Sequence, residues 1–137
     1  MQLSELSGNL GLQIPVPYIV GASAAAGGGN LVCPGKLQIV SASLVVNATL
    51  TGQATNFITV SFFNRTTGAG TIAWATAIAY SSGGVVATKA TPVVLTLSTT
   101  ATDLQPAAGD VLAVEITTTG TGLTFPGGVV SLNATFR

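Results

Sequence analysis

The 137-residue sequence has no histidine, a single cysteine, and only four basic and four acidic residues. Each scarcity removes a class of function. Without histidine there is no imidazole base for a nucleophilic triad and no imidazole ligand for a metal. Cys33 has no second thiol to bridge within the chain, so it reads as a small buried thiol. The cations Lys36, Arg65, Lys89 and Arg137 stand singly along the chain. They are too few and too scattered to neutralise a phosphate backbone, so no nucleic-acid partner is expected. No run of eighteen apolar residues occurs, which argues against a membrane-spanning helix. MQLSELSGNLGLQIPVPYIV carries Glu5, lacks a basic start and is broken by two prolines, so it does not read as a signal peptide.

Only 6% of residues are charged, against about a quarter in a typical soluble domain. Ser, Thr, Asn and Gln must therefore supply most of the polar surface. A neutral surface of this kind repels its own copies weakly and leans toward association. The length suits one domain with a real core.

What the sequence does contain is alternation. In LQIVSASLVVNATLTG, Leu44, Val46, Ala48 and Leu50 share one face and Val45, Asn47, Thr49 and Thr51 the other. FITVSFFNR puts Ile58, Val60 and Phe62 together. TIAWATAIAYS sets Ile72, Trp74, Ile78 and Tyr80 against Ala73, Ala75, Ala77 and Ala79. VVLTLS, GDVLAVEITTT and GVVSLNATFR repeat the period, the last with Val130, Leu132, Ala134 and Phe136 on one side. Each reads as a half-buried antiparallel strand. A shorter strand is expected at 85–89, with turns at 66–70, 81–84 and 106–110. The pattern predicts an all-β antiparallel β-sandwich, jelly-roll-like, in which the long segment LSTTATDLQPAAGD crosses between sheets. The inward set is expected to comprise Ile58, Val60, Phe62, Ile72, Trp74, Ile78, Tyr80 and Val114. The alanine strip is either covered by a loop of the same chain or is a face between subunits.

Residues 1–30 differ in texture. Pro15 and Pro17 enforce extended backbone, and Gly27, Gly28 and Gly29 read as a loose joint. The division expected is an extended N-terminal arm over 1–30 and a sandwich domain over 31–137. The candidate partner-contact residues of the arm are Ile14, Pro15, Val16, Pro17, Tyr18, Ile19 and Val20. An internal edge strand near Tyr18 to Val20 is the alternative.

Chemistry-bearing groups are sparse. Asp103 and Asp110 flank one loop, where turn capping explains them better than a calcium site, which collects more oxygens. Glu115 sits within a strand and reads as a solvated charge that guards it. The glycines lack the Lys-Ser or Lys-Thr of a phosphate loop. Asn47, Asn64 and Asn133 begin N-x-T triplets, which are weak signals in a threonine-rich chain. Trp74, Tyr80, Phe57 and Phe125 are candidates for a sugar-stacking platform. Trp74 and Tyr80 follow the core register, which leaves Phe125 as the freer ring. No catalytic residue, cofactor or metal is expected.

The extended first segment, the alternating strands, the polar crossing loop and AGDVLAVEITTTGTG followed by PGGVVSLNATF resemble head decoration (cement) proteins of tailed bacteriophages. The resemblance covers most of residues 31–137 and transfers no binding residue. It implies a structural virion protein on the outer surface of the capsid that binds the major capsid protein and forms a homo-oligomer, a trimer foremost. The alternative is a carbohydrate-binding or adhesive β module of a phage fibre or secreted protein.

Overall fold

A computed structural model describes residues 8–22, 26–65 and 71–137. The strands are β1 (Leu10–Ile19), β2 (Ala26–Val32), β3 (Leu37–Val46), β4 (Leu50–Thr51), β5 (Phe57–Arg65), β6 (Thr71–Ala79), β7 (Val86–Ala87), β8 (Val93–Val94), β9 (Val111–Thr119) and β10 (Phe125–Phe136). A single 3₁₀ turn, Ala101–Leu104, interrupts the crossing between β8 and β9. The turn expected at 66–70 lies outside the described residues, as do 1–7 and 23–25 of the expected arm.

Two antiparallel sheets result. The first has the order β1-β10-β3-β8 and the second β2-β9-β5-β6, with β4 and β7 forming a small ribbon. Along the chain β1, β2, β3 and β5 alternate between the sheets, β5 and β6 pair within the second, and β8, β9 and β10 alternate again, with β10 returning between β1 and β3. That order is a jelly roll, two Greek keys wrapped into one sandwich. The segment 97–110 does cross from the first sheet to the second.

The inward faces are set by period two. Leu12, Ile14 and Val16 of β1 stand beside Leu132, Val130 and Gly128 of β10. From the second sheet Ile58, Val60, Phe62, Leu112, Val114 and Ile116 are fully buried. Trp74 is buried with its ring 5.3 Å from that of Phe62, and its Nε1–H donates to the Phe63 carbonyl at 3.1 Å. Tyr80 and Phe125 complete the large buried side chains.

Several expectations are corrected by irregularities that alternation alone hides. β3 stops at Val46, where Asn47 N–H bonds the Gly127 carbonyl, so Ala48 is exposed and Leu50 belongs to the ribbon. A bulge on β3 opposite Asn133 and Ala134 inserts one residue and leaves Val40 50% exposed. Register shifts beside Phe62 add residues to β6. Ile72 therefore faces outward at 41% exposure and Ile78 is half-buried. Ala75 turns inward and bridges Leu97, so that part of the alanine strip is covered by the same chain. Phe125 is not a free aromatic. It opens β10 and is buried.

The separate arm is corrected as well. Residues 10–19 are the edge strand of the first sheet, and the boundary expected at residue 30 falls inside β2. The backbone is extended as the prolines require, but alternate side chains enter the core. The glycines of β2 are not a loose joint. Their missing side chains let β2 lie directly against β9 and β1: a Cβ on Gly28 would collide with the Val114 carbonyl, and one on Gly29 with that of Pro15.

Candidate interaction surface

The seven candidate arm residues divide by direction. Ile14 and Val16 are buried in the core of their own subunit and are withdrawn from any partner surface. Ile19 is half-buried and packs on that core. Pro15 and Pro17 point outward, while Tyr18 and Val20 are 63% and 62% exposed. What the segment leaves exposed is thus Pro15, Pro17, Tyr18 and Val20.

Pro15 belongs to a wider face, the outside of the first sheet. Pro15 on β1 lies opposite Val129 on β10, which lies opposite Val45 on β3. Beside it runs a second row, Gln13, Ser131, Ser43 and Val94, from β1 across to β8. Val94 is 80% exposed. Neither row contains a charge. Sequence alternation gave the outward parity of these residues, but only the strand order makes them neighbours.

The outside of the second sheet differs. Arg65 reaches back along β5 over the Phe63 ring, 5.3 Å from its centroid, and makes a bidentate pair with Glu115 on β9. Nε and Nη2 donate to Oε1 at 2.5 Å and Oε2 at 2.7 Å. These bonds hold the guanidinium pKa above its ordinary value. Glu115 is therefore paired across strands rather than merely solvated. The sequence could not show this, because Ser61, not Arg65, is its direct cross-strand partner.

Among the described residues, the remaining carboxylate side chains serve the fold. Asp110 Oδ2 accepts the Ala107 N–H at 2.8 Å and the Asn64 Nδ2–H at 2.9 Å. It closes the turn in which Gly109 takes φ +84°, a conformation that suits glycine. Asp103 Oδ2 accepts the Ser98 hydroxyl at 2.6 Å. Both aspartates thus tie down loops, as capping predicts. Asn64 is 5% exposed within β5, and its Oδ1 has no partner among the described residues. The Asn64 side chain is consequently shielded in the folded chain, whereas Asn47 and Asn133 are exposed. Cys33 is buried at the end of β2, and burial first, then the nearby Asp110 charge, pushes its thiol up to about 11.

A cleft of about 600 Å³ lies beside β6, with Ile72, Ala75 and Leu97 along its apolar part and Thr76, Ser98 and Asp103 among its polar groups. Its Asp103 is already engaged by Ser98, and Trp74, Tyr80 and Phe125 are held in the core. None of those three rings is presented for sugar stacking.

The strand order defines the class of fold, a jelly roll, without outside help. No family model and no curated protein matches the chain. Among solved structures it is similar to a chain of the "Structure of infectious bursal disease virus Gx strain", with a TM-score of 0.49 and 10% identity. The match covers 93% of this chain and 32% of that one.

Proposed function

We propose that this chain is a structural virion protein that decorates and stabilises a bacteriophage capsid through protein–protein contacts. Its partner is the major capsid protein, its place the outer surface of the capsid, and its state a homo-oligomer, with a trimer implied by the resemblance to decoration proteins. The observation that carries the reading is how the acidic groups are used. Asp103, Asp110 and Glu115 are each bonded within the fold, while a broad outer face of the first sheet presents only neutral side chains. Such a surface offers shape and contact area instead of reactive groups. The jelly roll is a fold used by capsid proteins, and also by lectins, so the fold alone does not choose between them. The core positions of Trp74, Tyr80 and Phe125 weigh against the glycan-binding alternative.

Within this reading Pro17 and Tyr18 at the end of the first strand, with Val20 just beyond it, contact the capsid. The test is to mix purified protein with undecorated phage capsids and measure bound copies per capsid, with Tyr18→Ala/Val20→Ser alongside. Saturable binding that the double variant weakens supports the proposal. Glycan binding without capsid binding overturns it in favour of the adhesive module.

A further inference from the structure

We infer that the outer face of the first sheet is where two copies of this chain meet, related by a twofold axis. The inference rests on the reading above for self-association itself and puts a twofold pair in place of the trimer.

Two arguments select a second copy as the occupant. The first is charge. The described charged residues Lys36, Arg65, Lys89, Asp103, Asp110, Glu115 and Arg137 all lie outside the two rows that run from β1 across the sheet. Covering these two rows therefore buries no ionised group and avoids the desolvation penalty of a buried charge. Its polar members are self-complementary too. Ser43, Ser131 and Gln13 each donate and accept hydrogen bonds, so a row laid against its own reversed copy can be satisfied. A twofold contact uses one patch twice in this way. By contrast, two apposed second sheets would have to bury the Arg65–Glu115 pair.

The second argument is area. Three long strands, β1, β10 and β3, lie side by side. At about 4.8 Å between strands and about 3.3 Å per residue, ten-residue strands cover about 500 Å². Two such faces bury about 1,000 Å², the lower bound for a specific interface and the range of a weak, reversible pair. Pro15, Val129, Val45 and the exposed Val94 give the face its apolar content. The contact is a pair, whereas a ring of three uses two different patches, so the observed mass separates this inference from the trimer.

The test is sedimentation velocity of the wild type at tens of micromolar beside Val94→Glu/Gln13→Glu, with Thr117→Glu on the second sheet as a control. Both altered side chains of the double variant are exposed, and thermal unfolding followed by circular dichroism verifies that each variant is folded. A dimer for the wild type and the control, with association weakened more than about tenfold in the double variant, is the expected result. A folded double variant that associates like the wild type overturns the face while leaving the oligomer standing. A threefold mass indifferent to the substitutions also overturns it. A monomeric wild type removes both the face and the free oligomer, and the capsid-binding measurement then decides the virion role separately.

Discussion

The backbone of Gly29 in β2 rests against the carbonyl oxygen of Pro15 in β1, with Ile14 Cγ2 alongside. A Cβ at Gly29 would enter the van der Waals radius of that oxygen, and a backbone atom cannot swing aside. Gly29→Ala is expected to lower stability by about 1–3 kcal/mol through overpacking. At Gly27 the nearest atom is the Cδ1 of Ile19, the movable end of a side chain, so Gly27→Ala should cost less. Denaturant titration of both variants checks this, and equal losses would contradict the contact.

Removing β1 should damage the whole domain. Ile14 and Val16 are 0% and 3% exposed, and burying each contributes about 1.5–3 kcal/mol. Losing both, together with the β1–β10 ladder, takes a large share of a total near 5–15 kcal/mol. Deletion of residues 2–28 is expected to abolish cooperative unfolding or lower its midpoint sharply. A deletion variant that melts like the parent would show that β1 is dispensable.

At the centre of the sandwich, Phe62→Ala should cost about 3–5 kcal/mol, the range for emptying a buried aromatic site. Trp74→Phe keeps most of the ring volume but removes the donor to the Phe63 carbonyl. Its expected loss is about 1–3 kcal/mol. Chemical denaturation gives both numbers, and a Trp74→Phe variant as stable as wild type would mean that the indole bond contributes nothing.

Alkaline pH should expose the burial of Cys33. Its thiol is raised from 9.0 to about 11 in the folded chain, because burial favours the neutral form. A raised folded pKa gives stability that is complete below pH 9 and is lost as pH rises through about 11. The loss is of order 2–3 kcal/mol for this group. The Tyr80 hydroxyl is also raised by burial and acts in the same direction. Urea unfolding from pH 8 to 11 should therefore show a decline that Cys33→Ala makes shallower. An identical decline in both proteins would remove the thiol from the account.

The residues legible in sequence were those whose alternation is unbroken. Ile58, Val60 and Phe62 stand inward as period two requires, and Val130, Leu132 and Ala134 do the same. The pattern failed where one strand gained residues on its partner. Ile72 went outward and Ala75 inward because register shifts beside Phe62 changed the parity, and a bulge depends on two strands at once. Phe125 looked free because a Thr-Gly-Pro neighbourhood reads as a loop, yet it pairs with Ile19 across more than a hundred residues. The expected arm failed for a related reason. Prolines announce extended backbone, but not whether it lies in a sheet. The first-sheet face was half legible: the neutrality of its residues was in the sequence, while their adjacency came only with the order β1-β10-β3-β8.

Pairing between β1 and β10, from Leu10–Ala134 to Ile19–Phe125, also governs how the chain reaches this state. The first strand has its ladder partner at the far end of the described chain. During synthesis Ile14 and Val16 must wait, uncovered, until β10 has emerged. Closing so long a loop early returns few contacts for the entropy it costs, so folding on the millisecond-to-second scale of non-local β topologies is the natural expectation. Until then the apolar sides of β1 and β3, which meet only through β10, remain sticky and unpaired. The tempo of translation and the availability of chaperones thus bear directly on the yield of native protein.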